Sequence, residues 1–279
     1  MAIRYHYCSS DTFDKIISQK TLRLSDMRLS NDTMEMEWFL RQHEGVGRLS
    51  EAVGYLDDGF WEHMEDYLTQ ATAQTDCYAV CLAQGGDKLS QWERYAKQCT
   101  GFSIGFREEK LCSYIQRISD AIPEERKHID VQTIRAFYDL LAQDVEYERI
   151  KNISYPHQVA DAYVHVFDYL KSCAFKKHIG FHEEKEFRIA LLFAKGMGEA
   201  IQNELAPYLG ETEFGEEAET RYASLKFEPE IIEEVCIGPL NEAFVDEVRQ
   251  RLKECGIRCR VKKSDIPYSP KRQKVLAHV

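Results

Sequence analysis

The sequence predicts an α+β fold, and three patterns lead there. Strand-like and helix-like segments are interspersed without the regular β/α alternation of a parallel doubly wound sheet. Residues 108–175 contain no glycine and repeat apolar residues at helical spacing, as in Ile134, Phe137, Leu140 and Leu141, then Val159, Tyr163, Val166 and Leu170. The last segment, about 230–265, reads as a β-α-β unit.

In chain order, residues 3–8 alternate as a strand, and Ser9-Ser10-Asp11 caps a helix whose Phe13, Ile16 and Ile17 form an apolar stripe. Residues 21–25 are a short strand. Residues 26–32 form a polar connection into a helix through Met34, Trp38 and Phe39, and a further helical region spans about 60–73. Residues 77–83 are apolar throughout, as in a strand buried on both faces. Residues 87–96 form a short helix, and the glycine-bounded segment Gly101–Phe106 returns as a strand. The stretch 108–175 is then a helical insertion. Strands follow at 187–193 and 222–227, separated by a loop with a helical piece at 196–215. The tail consists of a strand at 232–237, a break at Gly238-Pro239, a helix capped by Asn241 and running through Phe244, Val248 and Leu252, a stop at Gly256, and a strand at 257–261.

A chain of 279 residues buries a sizeable core without staples, and it reads as a single domain, 1–279, around the insertion. Nine cysteines are an odd number with no C-x-x-C pair, which suits reduced thiols. Cys77/Cys81 and Cys255/Cys259 have a spacing open to zinc, but the first pair lies in a strand and the second straddles a glycine turn, so no metal is expected. The N-terminus carries no apolar leader and no window approaches the roughly 18 apolar residues of a span, so the expectation is a cytoplasmic protein without membrane contact. A formal charge of −11 argues against broad electrostatic capture of nucleic acid. Lys262-Lys263 and Lys271-Arg272-Gln273-Lys274 are the concentrations of basic residues, read as a solvated tail.

The chemistry concentrates in four places. In Glu184-Lys185-Glu186-Phe187-Arg188, strand alternation places Glu184, Glu186 and Arg188 on one face and Lys185 and Phe187 on the other. A solvated edge strand has the same pattern. His6 ends the first strand, just before a helix N-terminus. Ser30-Asn31-Asp32 with Glu35 is a polar cluster that also reads as a helix cap. Ser90-Gln91-Trp92-Glu93-Arg94-Tyr95 sets Trp92 and Tyr95 at i, i+3 on one helical face, as core or as a platform for a flat ring. G-x-G-x-x-G before a helix, Walker A, G-x-S-x-G and H-E-x-x-H are absent, which argues against the Rossmann, P-loop, α/β-hydrolase and zincin readings.

These blocks occur in the order Tyr5-His6-Tyr7-Cys8-Ser9, then Leu24-Ser25 with Asn31-Asp32 and Glu35, then Ser90-Gln91-Trp92-x-x-Tyr95 with Gly101–Phe106, then Glu184–Arg188, and finally Ile232–Pro239. The series resembles a widespread bacterial family of uncharacterised domains. Cys8 stands where that family more often has Thr, and Thr33 where it often has Pro. A more remote resemblance is to the ADP-ribosyltransferase superfamily, which implies a split β-sheet core and NAD as substrate. In that resemblance His6 holds the adenosine ribose, Trp92 or Tyr95 stacks on nicotinamide, and Glu186 binds the nicotinamide ribose. Ser9, Ser90, Asn31 and Arg188 complete the expected NAD contacts, and Arg23 or Arg28 offers a further pyrophosphate donor.

The residue types suit the chemistry. Cleavage of the nicotinamide–ribose bond develops an oxocarbenium-like centre, and a carboxylate stabilises that positive charge. Glu186 takes this role. Glu184, about 7 Å away by strand rise, orients or deprotonates the acceptor. The leading expectation is an NAD-dependent ADP-ribosyltransferase, acting as a toxin or anti-phage defence effector on a macromolecular acceptor, protein or nucleic acid. An NAD glycohydrolase and a non-catalytic nucleotide-sensing or interaction protein are the alternatives. A metal-dependent nuclease built on Glu184, Glu186 and Asp32 is more distant.

Overall fold

The computed structural model describes residues 2–30, 66–67, 69–121, 138–148, 166–195, 215–217 and 220–269. Its elements in order are β1 (Ile3–Cys8), α1 (Ser10–Gln19), β2 (Thr21–Asp26), β3 (Thr75–Ala83), α2 (Leu89–Tyr95), β4 (Phe102–Arg107), α3 (Glu108–Asp120), β5 (Tyr138–Asp144), β6 (Glu146–Glu148), α4 (Val166–Ala174), β7 (Lys176–His178), β8 (Glu186–Ala194), β9 (Gly215–Glu217), β10 (Thr220–Lys226), β11 (Ile232–Ile237), α5 (Val245–Glu254) and β12 (Arg260–Lys263). The class is mixed α/β with mostly antiparallel pairing, while β6–β7 and β11–β12 pair in parallel. Among the described residues no helix is long and apolar enough to cross a membrane.

The chain divides into two compact units. Unit 1 comprises residues 1–22, 81–114 and 226–279, and unit 2 comprises 23–80 and 115–225.

In unit 1, β1 pairs antiparallel with β4 from Ile3↔Arg107 to Cys8↔Phe102, β4 pairs antiparallel with β11, and β12 joins β11 in parallel. The parallel pair is closed by α5, which makes the tail a β-α-β unit. Asn241 does not cap α5: Phe244 is the N-cap residue, while Asn241 accepts from Ala243 N and donates to Thr100 O and Gly101 O. Ser9 caps α1, accepting from Thr12 N at 3.2 Å, and the helix buries Phe13, Ile16 and Ile17, with Phe13 stacked on Phe102 at 4.1 Å. Gly101 permits a close approach, since a Cβ there would lie 2.0 Å from the Cys8 carbonyl oxygen.

In unit 2, β8 pairs with β5 on one edge and β3 on the other and is buried at all nine positions, so both of its faces are covered. This is why its apolar run is continuous. The core gathers Cys77 and Ala79 of β3, Leu170, Cys173 and Ala174 of α4, Phe175 just beyond that helix, and Ala190, Leu192 and Ala194 of β8. The stretch 108–175 is not helical throughout. β5 lies inside it, with Leu140↔Leu191 and Leu141↔Ala190 in antiparallel register, so two of the residues counted toward a helical stripe are strand residues. Short apolar runs satisfy both periods, and pairing with a buried partner strand decided in favour of β.

Candidate active site

The predicted acids of unit 2 meet, by a route other than strand alternation. Phe175 follows the last residue of α4, and β7 then pairs with β6, setting Tyr147 opposite Lys177. A 3-10 helix, Ile179–Glu184, comes next, capped by His178, whose Nδ1 accepts from Gly180 N at 3.1 Å. Lys185 closes it in the left-handed region, φ 43°, and β8 begins at Glu186. Glu184 is therefore a helix-end residue, not a strand neighbour of Glu186. The bend at Lys185 brings the two carboxylates to one ammonium.

That ammonium is Lys177, which the sequence reading missed. Its Nζ donates to Glu184 Oε2 at 2.8 Å and to Glu186 Oε2 at 3.2 Å, and it lies 4.9 Å from the centroid of the Phe181 ring. On the other oxygen of Glu186, Arg188 Nε donates at 2.8 Å, and Arg188 Nη1 donates at 2.7 Å to the carbonyl of Ala174, the last residue of α4. The guanidinium thus serves a helix C-terminal carbonyl as well as the acid. Glu186 and Arg188 do share a face of β8, as alternation requires. Exposure decides against a solvated edge: Lys177, Glu184, Glu186 and Arg188 are 3, 5, 4 and 0% exposed. Nothing in Lys176-Lys177-His178 distinguishes Lys177 from a solvated lysine, because its partners are 7 and 9 positions downstream.

Of the other predicted residues, His6, Ser9, Ser90, Trp92 and Tyr95 lie in unit 1 and Arg23 and Arg28 in unit 2, while Asn31, Asp32, Thr33 and Glu35 fall outside the described residues. His6 stands opposite Ile104 on β4. Its Nδ1 is buried with no hydrogen-bond partner among the described residues, and burial lowers its imidazole below the usual value against a hydrogen bond to the Cys81 backbone. Burial thus favours the neutral imidazole, in which one ring nitrogen is an acceptor. Trp92 and Tyr95 do not form a joint platform. Trp92 is fully buried, edge-on to Tyr7 at 4.8 Å, with Nε1 donating to Asp87 at 2.7 Å, whereas Tyr95 is 42% exposed. Three residues turn a helix by less than a full circle, and here core packing took one ring and left the other at the surface. Ser90 is exposed, and Ser9 is committed to its cap. Arg28 binds the buried acids Asp26 and Asp76, and Arg23 lies 3.8 Å from the Tyr222 ring centroid. Both arginines already have protein partners, contrary to the pyrophosphate role.

Among the described residues no group of three or more His, Cys, Asp or Glu is placed to hold a metal ion. What unit 2 offers is a line of alternating charges, Glu184, Lys177, Glu186 and Arg188, that fixes one carboxylate on both oxygens.

Residues 91–189 match the family described as Protein of unknown function (DUF2971). The DUF2971 span begins at Gln91, beside Trp92, and ends in β8, so it contains the whole Lys177–Arg188 cluster. The Tyr5–Ser9 and Leu24–Glu35 blocks lie outside it. Neither curated proteins nor solved structures supply a match.

Proposed function

We propose that the chain is an NAD-dependent ADP-ribosyltransferase in which Glu186 is the carboxylate at the nicotinamide ribose. The observation that carries this reading is the fixation of Glu186 at the first residue of β8 by Arg188 on one oxygen and Lys177 on the other. A carboxylate held in place beforehand stabilises a developing oxocarbenium without reorganising during the reaction. The C1'–N bond breaks, nicotinamide leaves with its electron pair, and the acceptor's nucleophile bonds to C1' while its proton passes to Glu184.

A second reading, a non-catalytic nucleotide-sensing protein, is favoured by the burial of the same cluster. Two acids and two bases, all less than one-tenth exposed, compensate one another as in an ion cluster that orders a core.

Labelled NAD incubated with the protein and lysate separates the readings. Transfer of label to a macromolecule, lost in Glu186→Gln, supports the transferase. Nicotinamide release without labelled product identifies a glycohydrolase. A thermal shift with NAD, about 2.7 kcal/mol at 100 times the dissociation constant, without turnover identifies a sensor. Absence of transfer, release and shift refutes NAD as the ligand.

A further inference from the structure

The formal charge of −11 conceals a segregation between the units. Unit 1 holds 19 Lys and Arg against 15 Asp and Glu, a formal +4, and unit 2 holds 17 against 32, a formal −15, which together give −11. The acidity that argued against polyanion binding belongs to unit 2.

Unit 1 concentrates its cations on an edge. β12 pairs with β11 and ends the strand order. Arg260 and Lys262 stand two positions apart, about 6.6 Å along the strand, and both reach Glu234 of β11. Arg260 Nε donates to Oε2 at 2.8 Å with Nη2 on the same oxygen, while Lys262 Nζ lies 3.2 Å from Oε1. Tyr5 donates its hydroxyl to Oε1 at 2.8 Å. Glu234 is 0% exposed, yet the side chains of Arg260 and Lys262 are 66% and 43% exposed. Gly105 leaves room for this arrangement, since a Cβ there would lie 2.8 Å from the Tyr5 ring and 3.1 Å from Glu234 Cγ. Burial opposes the charge on Glu234, but hydrogen bonds from Tyr5, Arg260 and Lys262 outweigh it and hold the carboxyl below its usual range.

Two cations on one carboxylate leave one positive charge in excess; exposed Arg258 precedes β12, and exposed Lys263 ends it on the alternate face of the same edge strand. The adjacent acid Glu233 is paired with Arg107. Lysines that merely blunt a sheet edge require no buried acid to orient them. Here Glu234 fixes the stems while Arg260 Nη1 takes no part in the bonds to it. Among the described residues the exposed large apolar ones are Leu29, Leu89, Tyr95 and Phe244, and none belongs to the strip. A protein interface requires an apolar core, whereas a phosphate backbone requires only spaced cations, and a guanidinium meets phosphate through several donors.

We propose that the β12 edge of unit 1, with Arg258, Arg260, Lys262 and Lys263, binds the phosphate backbone of a nucleic acid. This holds whether or not Glu186 acts on NAD. The test is fluorescence anisotropy of the full chain with a labelled DNA duplex and a labelled single-stranded RNA between 50 and 200 mM salt. Two to four phosphate contacts give a duplex salt slope of about −1.8 to −3.6, a loss of roughly 12- to 150-fold in affinity over that range. A single strand follows about −0.7 per contact instead of −0.9, which tells the two polymers apart. Arg258→Ala with Lys263→Ala touches no contact to Glu234, so the fold is retained, and it should reduce the duplex slope by about 0.9 per lost contact. Absence of binding at 50 mM salt overturns the proposal. So does an unchanged slope in that variant, a loss confined to Lys271→Ala/Arg272→Ala/Lys274→Ala, or stronger competition by polyglutamate than by unlabelled nucleic acid.

Discussion

Lys177→Met removes the one ammonium shared by two buried glutamates while keeping an unbranched apolar stem. The contacts at 2.8 and 3.2 Å are each worth roughly 5–6 kcal/mol at an effective dielectric near 20, before desolvation is subtracted. All four members are at most 5% exposed, so solvent screening does not erase the effect. Taking one partner from a buried pair costs about 3–5 kcal/mol, because the remaining charge stays desolvated. For a unit of this size that corresponds to a fall of roughly 6–20 °C in Tm. Differential scanning calorimetry measures the loss, and hydrogen exchange along β8 assigns it to unit 2. Adding Glu184→Gln removes the carboxylate that Lys177→Met strands, so the double variant should recover at least about 1 kcal/mol, within the usual range of coupling between contacting residues. A loss below 1 kcal/mol in Lys177→Met, or additive losses in the double variant, would refute the cluster as described.

Other outcomes follow from unit 1 and from the bend. Burial raises the Asp87 carboxyl, but hydrogen bonds from Ser264, Trp92 and Asp265 outweigh it and set its folded value below the ordinary 3.8. Its stabilisation is therefore complete above pH 3.8 and lost as pH falls through the folded value, and Asp87→Asn should flatten that acid limb in pH-dependent denaturation. Burial lowers His6 below 6.5, so below pH 6.5 the unfolded chain takes up the proton first and stability falls. His6→Gln removes this decline, and NMR titration should find the wild-type ring titrating below the ordinary 6.5. Gly101→Ala forces a Cβ to 2.0 Å from the Cys8 carbonyl oxygen and should cost about 1–3 kcal/mol or more by chemical denaturation. At Lys185, φ 43°, Gly should be neutral or stabilising and Val should cost about 1–2 kcal/mol. An extended strand there would reverse both signs.

Elements with a local signature were legible. The Ser9 cap and the Phe13–Ile17 stripe of α1, the buried run of β3 and the glycine stop after α5 each depend on residues within a few positions of one another. The stretch 108–175 failed because Leu140 and Leu141 satisfy a helical count, while the choice of strand depends on β8, about 50 residues away. Trp92 failed for a related reason: i, i+3 spacing does not reveal that Tyr7 and Asp87 hold one ring inside while the other remains outside.

The acids of Glu184-Lys185-Glu186 are the more instructive case, because the expected convergence occurs for a different reason. Two residues separated by one meet on the same side of an extended strand, and they also meet when the middle residue turns the chain back. The first arrangement leaves the acids about 7 Å apart on a continuous face. The second, seen here, ends a 3-10 helix at one acid and starts a strand at the other, so a third group can sit between them. A lysine is a poor marker of the left-handed region, where glycine or asparagine would have signalled the turn. Composition failed in the same manner at a larger scale. A net charge of −11 is a property of the sum. The field met by a partner is that of the surface it touches, and at the β12 edge the cations outnumber the buried carboxylate that holds them.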